Sequence, residues 1–209
     1  MSSFRDRTQA GEQLAVLVGA RNFPHPVVLA LPRGGVPVAQ PIAQSLNCPL
    51  DVIVVRKLGV PGQEEVGFGA ISEDNVRVLN DSIINSLSLD DSVINHIALQ
   101  QQDVLNTRLS SIRKFLAQID LHDKTAIIVD DGIATGIDAK AACIVARQRG
   151  AAKVVVAVPA APTDWRETLG DVADEYIAVV ESDAFAGVGA FYEDFSQVTD
   201  NEVLALLQK

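Results

Sequence analysis

Five short runs of branched apolar residues constrain this chain more than any other feature. PVVLALP (26–32), LDVIVVR (50–56), TAIIVDD (125–131), KVVVAVP (153–159) and EYIAVV (175–180) each have strand length and are rich in Val and Ile. Their apolar stretches are continuous, so the strands they predict are buried on both faces. Between several of them lie segments of helical period, Val38 to Leu46 and Asp138 to Arg149, the second stopped at Gly150. Strands alternating with helices predict an α/β fold: a central, mainly parallel five-stranded sheet flanked by helices. A chain of 209 residues, 48% hydrophobic, is enough for one well-buried core, so 1–209 is expected to be a single domain.

Two regions break the rhythm. Gly59 to Asn80 carries Gly59, Pro61, Gly62, Gly67 and Gly69 among acids, followed by the short extended pieces GAIS and VRVLN. It reads as a long mobile loop leading into a hairpin. Ser82 to Leu116 has neither Pro nor Gly and reads as one polar helix. The N-terminal stretch also suits a helix and has no signal-peptide core, and no run reaches membrane-spanning length. With 17 Lys and Arg against 27 Asp and Glu, a net charge of -10, the chain lacks the basic footprint of a nucleic-acid binder. Cys48 and Cys143 lie far apart in apolar surroundings with no metal-ligand spacing, and read as small buried hydrophobes. A cytoplasmic, disulfide-free protein that uses neither membrane nor nucleic acid is the expectation. His25, His96 and His122 stand beside no candidate nucleophile and read as bystanders, and Trp165 reads as packing.

The chemistry concentrates in AIIVDDGIATGIDA, Ala126 to Ala139. Ligands of an open parallel sheet sit beyond the carboxyl ends of its strands, where Asp130 and Asp131 stand. The small loop from Gly132 to Gly136 then opens a helix, whose first amides and macrodipole favour an anion. Paired carboxylates beside an anion cradle suit a ligand with both a phosphate and a ribose diol. The bland alternative is a helix cap beside a solvated acid. A receiver domain also ends a strand in aspartates, but near the start of its chain rather than after residue 129.

This stretch resembles the phosphoribosyl-diphosphate (PRPP) motif of type I phosphoribosyltransferases. Further segments resemble that family in order: ALPRGGVPVA (30–39) its pyrophosphate loop, VVRKLGVPGQEEVGFGAI (54–71) the strand feeding its flexible catalytic loop, then AVPAAP (157–162) and VGAFYEDFSQVTDNEV (188–203). The resemblance, to small bacterial phosphoribosyltransferase-domain proteins, covers nearly the whole chain. It implies a Rossmann-like phosphoribosyltransferase fold with a small hood drawn in part from 185–209. It also implies transfer of the ribose 5-phosphate of PRPP to a nitrogenous base, a purine or related nucleobase, with release of pyrophosphate.

In that reading Asp130 and Asp131 hold the ribose hydroxyls and Mg²⁺, directly or through water. Ala134, Thr135 and Gly136 take the 5-phosphate, with Gly132 and Ile133 of the same loop also counted among the PRPP-binding residues. Arg33, Gly34 and Gly35 grip pyrophosphate, with Lys57 and Arg56 stabilising the leaving charge, and the loop from Gly59 to Gly69 closes over the centre. Tyr192 and Asp194 form an acceptor-binding face in an aromatic cluster with Phe185, Phe191 and Phe195. The implied partners are PRPP or a nucleoside 5-monophosphate, pyrophosphate, a nucleobase and a second copy in a homodimer; the implied role is nucleotide salvage. One residue departs from the family: Asp138 stands where Thr or Ser is usual, and is expected to turn toward solvent or cap its own helix. If instead it opposes phosphate, the runner-up gains: a non-catalytic PRPP or nucleotide sensor on the same fold. An α/β hydrolase is set aside for want of a Gly-x-Ser-x-Gly elbow.

Overall fold

The computed structural model describes residues 4–208, with backbone only at 64 and 65. Helix α1 (Arg7–Gly19) leads into β1 (Pro26–Ala30), α2 (Gly35–Leu46) and β2 (Leu50–Val52). The chain then makes an excursion through β3 (Val55–Val60), β4 (Gln63–Ser72), β5 (Arg77–Leu79), α3 (Asp81–Leu87) and α4 (Asp91–Arg113). It returns as β6 (Thr125–Val129), α5 (Ile137–Gln148), β7 (Lys153–Pro162), α6 (Trp165–Leu169), β8 (Glu175–Ser182) and α7 (Asp200–Leu207). The central sheet has five strands, all parallel, in the order β2-β1-β6-β7-β8. Strand order reverses beside β1, and β6 is its neighbour across that switch point, the place where open sheets of this kind bind ligands.

Burial on both faces follows from the uniform apolar runs. Val28, Ala30, Ile127, Val129, Val155 and Ala157 join the core beneath α1 and α2. Their neighbours Val27, Leu29, Ala126, Ile128, Val154 and Val156 join a second core with Ala142, Val145 and Trp165. Trp165 is packing, its indole donating to Glu181 at 3.2 Å, and Cys143 is buried, its thiol pushed up to about 12 by burial. Among the described residues no helix is long and apolar enough to cross a membrane.

The excursion departs from the expectations in three ways. LDVIVVR is not one strand: β2 ends at Val52, and the chain leaves the parallel sheet to form an antiparallel sheet, β3-β4-β5. Groups from the end of β4 capture the crossing, because Val54 N–H donates to the Glu73 carboxylate at 2.9 Å and Ser72 Oγ donates to the Val54 carbonyl at 2.9 Å. The stretch Gly59 to Gly69 is the hairpin itself rather than a loop before it, turning at Pro61-Gly62, with Leu58 and Phe68 buried to hold it down. Ser82 to Leu116 is two helices, because Ser88 adopts a left-handed conformation (φ 49°) that ends α3.

The excursion is fastened by a buried charge network. Asp51 on β2 is fully buried and accepts from Arg113 Nη1 at 2.5 Å and from Ile119 N–H at 3.0 Å. Arg113 also reaches the Val52 carbonyl at 3.2 Å and Glu73 at 3.6 Å, and Glu73 pairs with Arg149 of the α5 end at 2.6 Å. Removing one member of such a network leaves a buried charge without its partner. Arg113→Met is therefore expected to cost about 3–5 kcal/mol in urea unfolding; a loss under about 1 kcal/mol, the range of a solvent-screened pair, would contradict this anchoring.

Candidate active site

The turn after β1 and the turn after β6 meet at the carboxyl edge of the sheet. Leu31 N–H donates to the Val129 carbonyl at 2.9 Å, and Ile133 N–H donates to the Ala160 carbonyl of β7 at 2.9 Å, which pins the 130–136 loop on both sides. The contact between the turns is so close that it admits no side chain. A Cβ on Gly34 would lie 2.0 Å from Asp131 Oδ2, and one on Gly35 would lie 2.6 Å from the Val129 carbonyl oxygen. The PRGG turn predicted to grip pyrophosphate and the acid pair predicted to hold ribose thus form one wall.

The acids are recessed and costly. Burial, then the neighbouring Asp131 charge, holds the Asp130 carboxyl well above its usual range, although Oδ1 accepts from Asp131 N–H at 2.8 Å. Burial also raises Asp131, against the pull of Arg7, whose Nε donates to Asp131 Oδ2 at 2.8 Å. The Arg7 guanidinium lies 3.9 Å over the Phe195 ring, and its Nη1 donates to the Ser196 carbonyl at 2.8 Å. Two adjacent hard carboxylate oxygens whose ionised forms are mutually disfavoured fit a divalent cation that keeps most of its waters. No cluster of three or more metal-ligating side chains occurs among the described residues.

Across from the acids lies a cleft of about 780 Å³, lined by Arg33, Arg56, Lys57, Arg108 and Asp138 together with His96, Gln100 and Gln101 of α4. Arg56 is steadied by Gln101, whose Oε1 accepts from Nε at 3.1 Å and Nη2 at 2.8 Å. Burial, with Arg108 and Arg33 nearby, lowers the Arg56 guanidinium, while the Asp138 carboxyl in the same cleft pulls the other way. The 132–136 loop borders this region: Ala134 and Thr135 are exposed, Gly132, Ile133 and Gly136 are buried, and Gly136 (φ 71°) turns the chain into α5.

Three expectations are corrected. Asp138 neither faces solvent nor caps α5; it lines the cleft, its Oδ1 is buried without a hydrogen-bond partner, and the cap position belongs to Gly136. Tyr192 offers no free aromatic face: its ring is buried between Phe4 and Phe195, at 5.3 and 5.0 Å, and its hydroxyl donates to the Asp131 carbonyl at 2.6 Å. Asp194 is exposed, accepts from Ser196 N–H at 2.9 Å, and lies in a separate groove with Asp6 and Arg7. Arg7 and Arg108, which the sequence did not single out, and His96, read there as a bystander, also lie at the candidate site. Arg7 had no nearby signal at all, 124 residues from its carboxylate partner, whereas His96, Gln100 and Gln101 recur at helical spacing on one face of α4.

A five-stranded parallel sheet with an acid pair, a loop that opens a helix and a glycine turn together at its switch point defines an α/β protein whose candidate site lies at the carboxyl edge of the sheet. Comparison gives the family: the model of the phosphoribosyl transferase domain matches residues 12–194, and the chain belongs to that family. A Mycobacterium tuberculosis protein named provisionally as a phosphoribosyl transferase is 48% identical over all 209 residues, yet the chain spans only 47% of that protein's length. The crystal structure of TT1426 from Thermus thermophilus is 41% identical, with TM-score 0.82, covering 100% of this chain and 98% of that one. A purine phosphoribosyltransferase from Pyrococcus horikoshii is similar in fold alone, at 17% identity and TM-score 0.50 over 92% of each chain.

Gly34→Ala tests the shared wall. Because its Cβ would occupy the place of the Asp131 carboxylate oxygen, alanine is expected to abolish sugar-phosphate binding in calorimetry while circular dichroism remains that of the folded chain. Unchanged affinity would show that the two turns do not act as one site.

Proposed function

We propose that the chain is a phosphoribosyltransferase, carrying the ribose 5-phosphate of PRPP to a nitrogenous base and releasing pyrophosphate. The observation that carries this is the abutment of the acid pair on the Arg33-Gly34-Gly35 turn, beside a cleft holding four cations. A ligand with a diol between two anionic ends meets a complementary surface at each part. Ala134, Thr135 and Gly136, with the first amides of α5, hold the 5-phosphate. Asp130 and Asp131 take the 2- and 3-hydroxyls, and Mg²⁺ bound there would supply charge neutralisation at the diphosphate. As the C1–O bond breaks, its electron pair leaves with pyrophosphate, and Arg33, Arg56 and Lys57 stand where that charge develops. The acceptor nitrogen then bonds to C1 and gives up its proton.

Three supporting residues hold this arrangement. Arg7 pulls Asp131 toward its ionised form and aims it, Tyr192 fixes the backbone under it, and Gln101 orients Arg56. The acceptor is a purine or related nucleobase in nucleotide salvage, and the polar face of α4 with His96, Gln100 and Gln101 supports placing it against that helix rather than against the tail. A second reading, binding of PRPP or a nucleotide without turnover, is favoured by the inward carboxylate of Asp138.

Pyrophosphate release from PRPP and Mg²⁺ across a panel of nucleobases separates the two: release with one base supports transfer, and tight binding with no release from any base supports sensing. Asp131→Asn is expected to weaken PRPP binding tenfold or more, about 1.4 kcal/mol, and to blunt its Mg²⁺ dependence with the fold intact. Unchanged affinity would remove the acid pair from the site.

A further inference from the structure

Asp138 occupies the first turn of α5, beside the loop that carries the phosphate in the reading above, and the inference rests on that reading. Its Oδ1 is buried and has no hydrogen-bond partner, which holds for no other buried side-chain oxygen or nitrogen among the described residues. A buried polar atom in that state is short of a partner that a ligand can supply. The groups around it are mixed. Arg56 and Lys57 of β3, Arg33 of the β1–α2 turn, and Arg108 and His96 of α4 line the same cleft. Asp130 at the end of β6 feels its charge. Burial raises the carboxyl above its usual range, while Lys57 and Arg56 pull it back toward ionisation.

We propose that Asp138 binds the 5-phosphate as a neutral carboxylic acid, donating its O–H to a phosphate oxygen, so that one proton is taken up from water as the phosphate enters. An ionised carboxylate at that place would face the phosphate as a like charge in a recess where water screens little. The acid form removes the repulsion and turns the orphaned carboxyl into a donor, the part a hydroxyl would play there without a proton. The diphosphate end of the ligand assists, because once it neutralises Arg56 and Lys57 they no longer favour the carboxylate. The sign follows from linkage. A carboxyl whose proton affinity is higher in the complex than in the free chain strengthens binding at low pH, and the gain is lost as pH rises through its value in the complex.

The test is calorimetry of ribose 5-phosphate with the wild type, Asp138→Asn and Asp138→Thr, from weakly acidic to weakly alkaline pH, each in two buffers of different ionisation heat. The wild type is expected to take up about one more proton than either variant, and its affinity to fall up to about tenfold per pH unit more steeply. Both variants keep a neutral donor and are expected to bind with only the ligand's own titration. Equal proton counts and slopes in all three proteins would overturn the proposal while leaving the phosphate site standing. So would loss of binding in a folded Asp138→Asn. Absence of binding in all three at every pH would overturn the phosphate site and the proposal together.

Discussion

Everything at the candidate site depends on two turns approaching to a distance that excludes side chains. Gly34 lies where a Cβ would strike the Asp131 carboxylate, and Gly35 where one would strike the Val129 carbonyl. Parallel strands β1 and β6 make this approach available because adjacent parallel strands end on the same edge, and the reversal of strand order there opens a crevice. The apolar runs serve that end indirectly. Being buried on both faces, they leave the carboxyl edge as the place where the sheet can present charge.

That edge concentrates opposite charges in separate places. Asp130 and Asp131 are recessed together, with one guanidinium, Arg7, paired to the second acid. Arg33, Arg56, Lys57 and Arg108 line the neighbouring cleft with Asp138 as their companion. Burial and like charge act on both groups: they hold Asp130 above its usual range and lower Arg56. In the proposed function the hydroxyls of a diol would donate to the acids and a diphosphate would meet the cations, so that each part of one ligand answers a different part of the edge.

Much of this was legible in the sequence, and the rest was not for definable reasons. The parallel sheet followed from PVVLALP, TAIIVDD and KVVVAVP because uniform burial leaves a uniform pattern. The acid pair and its loop followed because strand, acids, small residues and helix are contiguous. LDVIVVR misled because apolar content does not say which sheet a residue joins, and the switch at residue 54 is imposed by Ser72 and Glu73 from another strand and its end. Tyr192 was placed in the right neighbourhood but in the wrong role, since composition reports clustering and not the direction of a ring. Arg7 was invisible, its partner being brought to it only by the packed fold. Asp138 was noticed as a departure, but its direction depended on how α5 meets β3, which local sequence does not encode.

The central claim is that the turn at Arg33 to Gly35 and the loop at Gly132 to Gly136 bind one ligand together. Amide hydrogen exchange with and without PRPP and Mg²⁺ tests it most directly. Slowed exchange in both segments, rising together with a single ligand concentration dependence, is the predicted result. Protection of only one segment, or protection confined to the groove between α4 and α7, would contradict it.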